Sequence, residues 1–307
     1  MLGYTLRRLG QSLLVLWGAV TIVFAVVRLV PGDPATIILG SDATSEEIAE
    51  VRRDLGLEDA LSVQYGRFLM QILRLDFGDS FRSGTDAFAM VMERIGATAA
   101  LAASAMLVAL VLSFVLGVAA ALRPRGVVDR VISTISLVGQ STPNFWVGII
   151  LILLFARQFE ILPSAGNSTP AHLVLPSITL ALPFTSILAR LVRSGLLEVL
   201  GEGYIQTARA KGLREYAVLS RHAIRNMLLP VITVAGLQFG ELLGGTVVVE
   251  EVFAWPGLGR LLVDAIENRD YTVIQAAVTF IAAIFVLVNL VVDVLYAYID
   301  PRVRVGE

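Results

Sequence analysis

No charged side chain occurs over residues 96 to 122, 131 to 156 or 271 to 292. At about 1.5 Å per helical residue, each run is long enough to cross the ~30 Å hydrocarbon layer of a bilayer. Three further apolar runs, 9 to 30, 171 to 189 and 226 to 249, are interrupted only by Arg28 and Glu241. The sequence therefore predicts an all-α, polytopic membrane protein with six transmembrane helices. Composition agrees: 56% of residues are hydrophobic and 16% charged, where soluble domains carry about 25% charged residues. Secreted, disordered and nucleic-acid-binding classes are excluded. With no cysteine and only His172 and His222, thiol catalysis, disulfides, iron–sulfur clusters and ordinary zinc or haem sites are also excluded, and no metal site is expected.

Arg7 and Arg8 precede the first run in the manner of a signal peptide or twin-arginine signal. The apolar core is too long for a signal peptide, however, and no small-residue cleavage site follows, so the run reads as an anchor. An even number of spans places both termini on one side. That side holds fourteen Lys and Arg residues against nine on the other, six of which lie among twelve carboxylates in the long segment 31 to 95. The positive-inside rule makes the termini cytoplasmic and segment 31 to 95 external. This segment carries helix punctuation. Thr44 and Glu47 form a capping box and Gly56 a stop. A second amphipathic stretch presents Tyr65, Phe68, Leu69, Ile72 and Leu73, and a third has Thr85 as cap before Phe88, Val91, Met92 and Ile95. The expectation is three short helices on the outer membrane face, or a surface on which a partner docks.

The connection 190 to 225 is far longer than an ordinary loop. Tyr204 to Lys211 favours a helix, Gly212 breaks it, and Leu213 to Ala223 resumes helical spacing through Leu213, Tyr216, Ala217 and Ser220. Glycine at the corner suits a positive backbone angle. Ala208 and Ala210 are small enough to admit another surface, and Arg209, Lys211, Arg214, Glu215 and Arg221 offer charges to it. On these residues alone, a positive loop that merely obeys the inside rule is the favoured reading.

The run Tyr204-Ile-Gln-Thr-Ala-Arg-Ala-Lys-Gly-Leu213, with Arg221-His-Ala-Ile-Arg-Asn226 and Pro230, resembles the cytoplasmic loop of permease subunits of bacterial ATP-binding-cassette importers of the dipeptide, oligopeptide and nickel family. The resemblance extends to Pro31-Gly-Asp-Pro34, Leu55-Gly-Leu57, Gln64-Tyr65, Pro256-Gly-Leu-Gly259, Arg269-Asp-Tyr271, Asp293 and Asp300-Pro-Arg302. The long external segment after the first span looks like the B-type subunit. Where the broader importer motif begins Glu-Ala-Ala, this chain has Gln206-Thr207-Ala208, and its proline falls late, at Pro230. The resemblance implies one transmembrane domain over residues 1 to 307, in a bacterial cell (inner) membrane. It also implies that Thr207 to Glu215 and Arg221 couple to a cytoplasmic ATPase. No Gly-x-x-x-x-Gly-Lys-Ser/Thr loop is present, so this chain carries no cofactor and is not an enzyme. ATP and Mg would be bound by two partner ATPase subunits or domains. A single coupling loop calls for a homologous second permease, and cargo would arrive on an extracytoplasmic substrate-binding protein. Di- or oligopeptides are the expected cargo; nickel, glutathione or another solute are alternatives.

A path for a polar solute should leave costly polar groups inside the spans. Gln140 and Asn144 flank Pro143 in the third run, and Gln238 and Glu241 lie within a turn of each other in the fifth, beside Gly236, Gly240, Gly244 and Gly245. These four polar residues are the candidates for the path or its gate. Interhelical hydrogen bonding explains the amides equally well, and a buried pairing with Gln140 or Arg28 would explain Glu241. Two other classes compete. A secondary transporter would show inverted repeats and broken helices in matching halves. An intramembrane hydrolase would need a base inside a span, yet Lys211 is the only lysine.

Overall fold

The computed structural model describes residues 2–29, 34–39, 43–54 and 56–299. Thirteen α-helices are found among them: α1 Leu2–Leu29, α2 Pro34–Leu39, α3 Ser45–Asp54, α4 Leu61–Arg74, α5 Ala87–Leu122, α6 Val127–Ser141, α7 Asn144–Leu151, α8 Val174–Gly201, α9 Gly203–Ala210, α10 Glu215–Ala217, α11 Ile224–Val252, α12 Leu258–Glu267 and α13 Tyr271–Ile299. Five segments are long and apolar enough to cross a membrane, and a sixth arises if the bent pair α6–α7 counts as one crossing. The exposure of Leu13 (58%), Leu14 (67%) and Ile22 (65%) on α1 has a ready cause, since lipid is their solvent.

Three boundaries differ from the sequence expectation. The run 131 to 156 is not one straight helix: α6 and the helix from Asn144 to Gln158 meet at 110°. Pro143 cannot donate to the helical ladder and forces the residue before it into an extended conformation, and Thr142 sits at ψ 128°. The third short external helix is not separate but forms the first turns of the 36-residue α5. At about 54 Å this helix overshoots the hydrocarbon. Its cap is Asp86, not Thr85, with Oδ1 and Oδ2 accepting from the backbone N–H groups of Phe88 and Ala89 at 3.2 Å. The fourth span runs to Gly201, eleven residues past the first arginine, where the cytoplasmic loop was expected to begin. The expected capping box is present: Glu47 N donates to Thr44 Oγ1 (3.3 Å) and Thr44 N to Glu47 Oε2 (2.8 Å). The Thr44 N–H and hydroxyl, both donating to Glu47 Oε2, hold the Glu47 carboxyl below its ordinary range. Pro31 to Asp33, Leu55 and Asp300 to Arg302 lie outside the described residues.

The chain divides into two compact units. The first comprises residues 99–255 and 288–299 of the described chain. Its centre is α8, with thirteen buried residues from Leu175 to Leu196. α5 crosses α8 at Gly117, where an added Cβ would lie 2.6 Å from Val192 and 2.7 Å from the Ala189 carbonyl. α6 is tied to α8 by Arg193, which grips Asp129 through Nε (2.5 Å) and Nη2 (2.8 Å). α11 lies antiparallel to α8, with Gly245 against Leu180 and Gly195 against Met227.

The second unit comprises residues 2–98 and 256–287. Here α4 packs antiparallel along α1. Phe24 meets Tyr65 and Phe68 at ring-centroid distances of 5.2 and 5.7 Å, Thr21 Oγ1 meets Tyr65 Oη at 2.7 Å, and Arg28 Nε donates to Gln64 Oε1 at 2.9 Å. Tyr65, Phe68, Leu69 and Ile72 of the α4 stripe are thus covered by α1 and by Tyr271 of α13, whereas Leu73 is exposed. A second cluster packs Ala87 and Val91 of α5 on Leu258, Leu261 and Ala265 of α12. The loop before α5 is clasped by a buried hydrogen bond from Ser80 Oγ to Asp270 Oδ2 (2.5 Å), and Asp270 Oδ1 also accepts the N–H of Val273 (3.3 Å).

Candidate functional site

The loop between α8 and α11 is a folded corner. α9 ends at Ala210, and the Lys211 N–H returns to the Thr207 carbonyl (3.0 Å). Gly212 then turns the chain at φ +77°, a left-handed angle that a side chain resists. No atom lies within 4 Å of a Cβ built there, so the requirement for glycine is conformational and not steric. Arg209 reaches across the corner to Glu215, with Nη2 donating to Oε1 at 2.6 Å and Nε to Oε2 at 3.1 Å. This contact raises the pKa of Arg209 and lowers that of Glu215 from their ordinary values.

The second short helix expected after Gly212 is not a separate element. α10 continues through π-helical turns, Val218 to Ala223, directly into α11. Ile205, Ala208, Val218 and Ala223 are buried together beneath the corner. Ala208 is 7% exposed and lies on α9, which packs against the π-helical turns and the end of α8. Thr207, Ala210 and Arg221 are exposed, and so is the continuous apex Lys211, Gly212, Leu213, Arg214, Glu215 and Tyr216. Tyr216, at 83% exposure, is its most prominent side chain. An aromatic ring at the start of the second helical stretch was the signal for it.

The four polar span residues fall into two places. Gln140, in the last turn of α6, accepts a hydrogen bond from Arg190 Nη2 of α8. Arg190 was missed as a site residue because the span was read as ending there, although the apolar periodicity of α8 continues to Leu196. Asn144 opens α7, with its Nδ2 3.8 Å from a Cβ built at Gly245 of α11. Gln238 is half-buried on α11 and Glu241 is exposed. The pairings weighed for Glu241 do not occur, since Gln140 binds Arg190 and Arg28 binds Gln64. On α11, Gly236 and Gly240 approach α13 so closely that added Cβ atoms would lie 2.9 Å from Val292 and 2.7 Å from Asn289. Leu237, Glu241, Gly244, Val248 and Glu251 form an exposed stripe along the same helix. A spacing of four and three residues marks one helical face. No group of His, Asp or Glu that could hold a metal ion occurs among the described residues.

The structure is that of an all-helical membrane protein with an exposed corner and an exposed, partly polar helix face. Residues 113–305 match the model of the binding-protein-dependent transport system inner membrane component, and residues 1–102 match that of its N-terminal region. The chain belongs to this family, and is a permease subunit of an ATP-binding-cassette importer and not an enzyme. It is 44% identical over 304 residues to the glutathione transport system permease protein GsiC of Salmonella paratyphi A, covering 99% of both chains. It is 41% identical over 309 residues to the probable peptide ABC transporter permease protein y4tP of Sinorhizobium fredii, covering 98% of this chain and 99% of the other. The MetNI methionine ABC transporter, solved in inward-facing conformations, shares the fold. The alignment has a TM-score of 0.58 at 18% identity and covers 69% of this chain and 96% of that one.

Proposed function

We propose that this subunit forms half of the translocation path of a peptide importer in a bacterial inner membrane, with both termini and the Gly212 corner cytoplasmic. The observation that carries this reading is the stripe Leu237–Glu241–Gly244–Val248–Glu251. A carboxylate facing lipid near mid-span costs about 3 kcal/mol or more, so the stripe is suited to a homologous permease and hydrated cargo. Glu241 and Gln238 belong to the gate at that interface, with Gln140 and Asn144 as further path residues. The apex Lys211 to Tyr216 docks one of two ATPases, which bind ATP and Mg. Closure of the ATPases moves the two permeases between inward and outward openings. Cargo arrives on an extracytoplasmic binding protein. The name of the Sinorhizobium relative supports a peptide cargo, and that of the Salmonella relative supports the alternative, glutathione.

The test is uptake of labelled di- and tripeptides and glutathione by proteoliposomes holding both permeases, both ATPases and the binding protein. ATP-dependent uptake of a peptide is expected. Transport by this chain alone on an ion gradient would overturn the assembly, and ATP-driven uptake of only a non-peptide solute would overturn the cargo. In the same system, Glu241→Gln should preserve assembly and change transport or basal ATPase rate, and Glu241→Leu should change basal ATPase rate more than cargo preference. A complex in which Glu241 faces lipid in both inward and outward states would remove its gate role.

A further inference from the structure

A basic cavity of about 730 Å³ opens where α6 begins, lined by Arg125, Asp129, Arg130, Ser133, Thr134 and Arg193. Its floor is fixed. Asp129, 4% exposed, is held by both Arg193 contacts, by the Arg125 N–H (2.8 Å) and by Ser133 Oγ (3.4 Å). Arg125 stands at φ +62°, a left-handed angle that a non-glycine residue keeps only when its surroundings hold it there. The Asp129 charge is thus consumed by Arg193 and the turn. The side chains of Arg125 and Arg130 are exposed and have no partner among the described residues. With Arg193 and Asp129 neutralising each other, the guanidinium groups of Arg125 and Arg130 leave the cavity cationic.

Beside this cavity α6 presents an apolar stripe to the exterior: Val127 (71% exposed), Val131 (49%), Ile135 (56%) and Val138 (59%). Arg130 and Thr134 lie on the adjoining strip of the same helix. The stripe rises about 16 Å from the cavity, the scale of an acyl chain within one leaflet.

We propose that this cavity seats the phosphate of an anionic glycerophospholipid, with an acyl chain lying along the α6 stripe. The inference goes beyond the transport reading and does not rest on it, because it requires only that the chain lie in a bilayer. Phosphate is the anion that suits a guanidinium cluster, and basic pockets between helices at a membrane surface recognise such headgroups. The exposed apolar stripe favours a lipid over an acidic protein surface.

The experiment uses the assembled complex in phosphatidylcholine nanodiscs containing a phosphatidylglycerol with a photoactivatable acyl chain, and maps the labelled peptides by mass spectrometry. Labelling should fall on residues 127 to 138, and unlabelled phosphatidylglycerol should compete where phosphatidylcholine and inorganic phosphate do not. Arg125→Ala with Arg130→Ala removes two cations and should weaken binding about thirty-fold, or ~2 kcal/mol at about 1 kcal/mol each. Paired lysine replacements should restore most of it. Arg130→Ala alone, which leaves the strained turn untouched, should weaken binding about five-fold. Four results would each overturn the proposal: equal labelling of the alanine variant, equal competition by phosphatidylcholine, displacement by inorganic phosphate, or loss of ATPase association with labelling unchanged.

Discussion

Gly212→Val is the sharpest perturbation of the proposed coupling corner. The native φ of +77° lies where an L-residue pays about 1–2 kcal/mol, and a β-branched one more. Nothing lies within 4 Å of the new Cβ, so no clash adds to this strain, and the buried base of Ile205, Ala208, Val218 and Ala223 is untouched. The whole cost therefore falls on the equilibrium between the formed corner and alternatives that misplace Leu213 to Tyr216. At 1.4 kcal/mol per decade, that is a drop of about five- to thirty-fold in the formed corner relative to its alternatives. Membrane insertion and assembly should survive, while cargo-stimulated ATP hydrolysis falls. A graded series should follow the tolerance of each residue for the left-handed region, with Asn close to Gly, Ala lower and Val lowest. The assay is ATPase activity of the reconstituted complex with and without loaded binding protein, alongside subunit stoichiometry. Unimpaired stimulation in Gly212→Val would refute the argument, and so would a series ordered by side-chain volume with Asn as poor as Val.

Two further predictions concern pairings and packing in the same unit. Because the Arg209 contact lowers the Glu215 pKa, its stabilisation is complete above the ordinary glutamate pKa of about 4.3 and disappears as pH falls through the lower folded value. The raised Arg209 pKa leaves that partner charged throughout this window. Hydrogen exchange at 209 to 216, corrected for the intrinsic pH dependence, should rise on acidification in the wild type and be flat in Glu215→Gln; an identical rise in both would exclude the pair. Gly117→Ala should destabilise by about 1–3 kcal/mol, since the new methyl meets Val192 and the Ala189 carbonyl below 3 Å. Thermal unfolding in detergent should show this, whereas Gly18→Ala, with open space around its Cβ, should not.

How much was legible depended on whether a feature was local. The apolar runs of α1, α5, α8, α11 and α13 were legible because lipid imposes length and polarity on each helix separately. The Thr44–Glu47 box and the Gly212 corner were legible because their partners lie within a few residues. Pro143 marked a break in the third run, but the 110° angle depends on what α6 and α7 each pack against. Ala208 read as small and open, yet it is buried in a loop where α9 packs against the π-helical turns that follow the corner. The Arg193–Asp129 grip spans 64 residues of sequence, and neither residue has a local pattern pointing to the other. α4 announced that its stripe needed a cover but could not announce that the cover was α1.

The continuity of α10 with α11 has a mechanical consequence. Residues 215 to 252 form one uninterrupted helical course, with π-helical turns near its start and Pro230 inside it. Proline removes a ladder hydrogen bond, so residue 230 is where this course bends most easily, and a tilt is transmitted across it only to the extent that the helix stays straight there. Glu215 lies about 22 Å to one side of Pro230 and Glu241 about 16 Å to the other. A tilt of about 10° around Pro230 therefore carries the apex through ~4 Å and the Glu241 stripe through ~3 Å in the opposite sense. If the course tilts as one rigid beam, its arms stand in a ratio of about 1.4, so a push at the corner would reach the stripe reduced by about a quarter and reversed in direction.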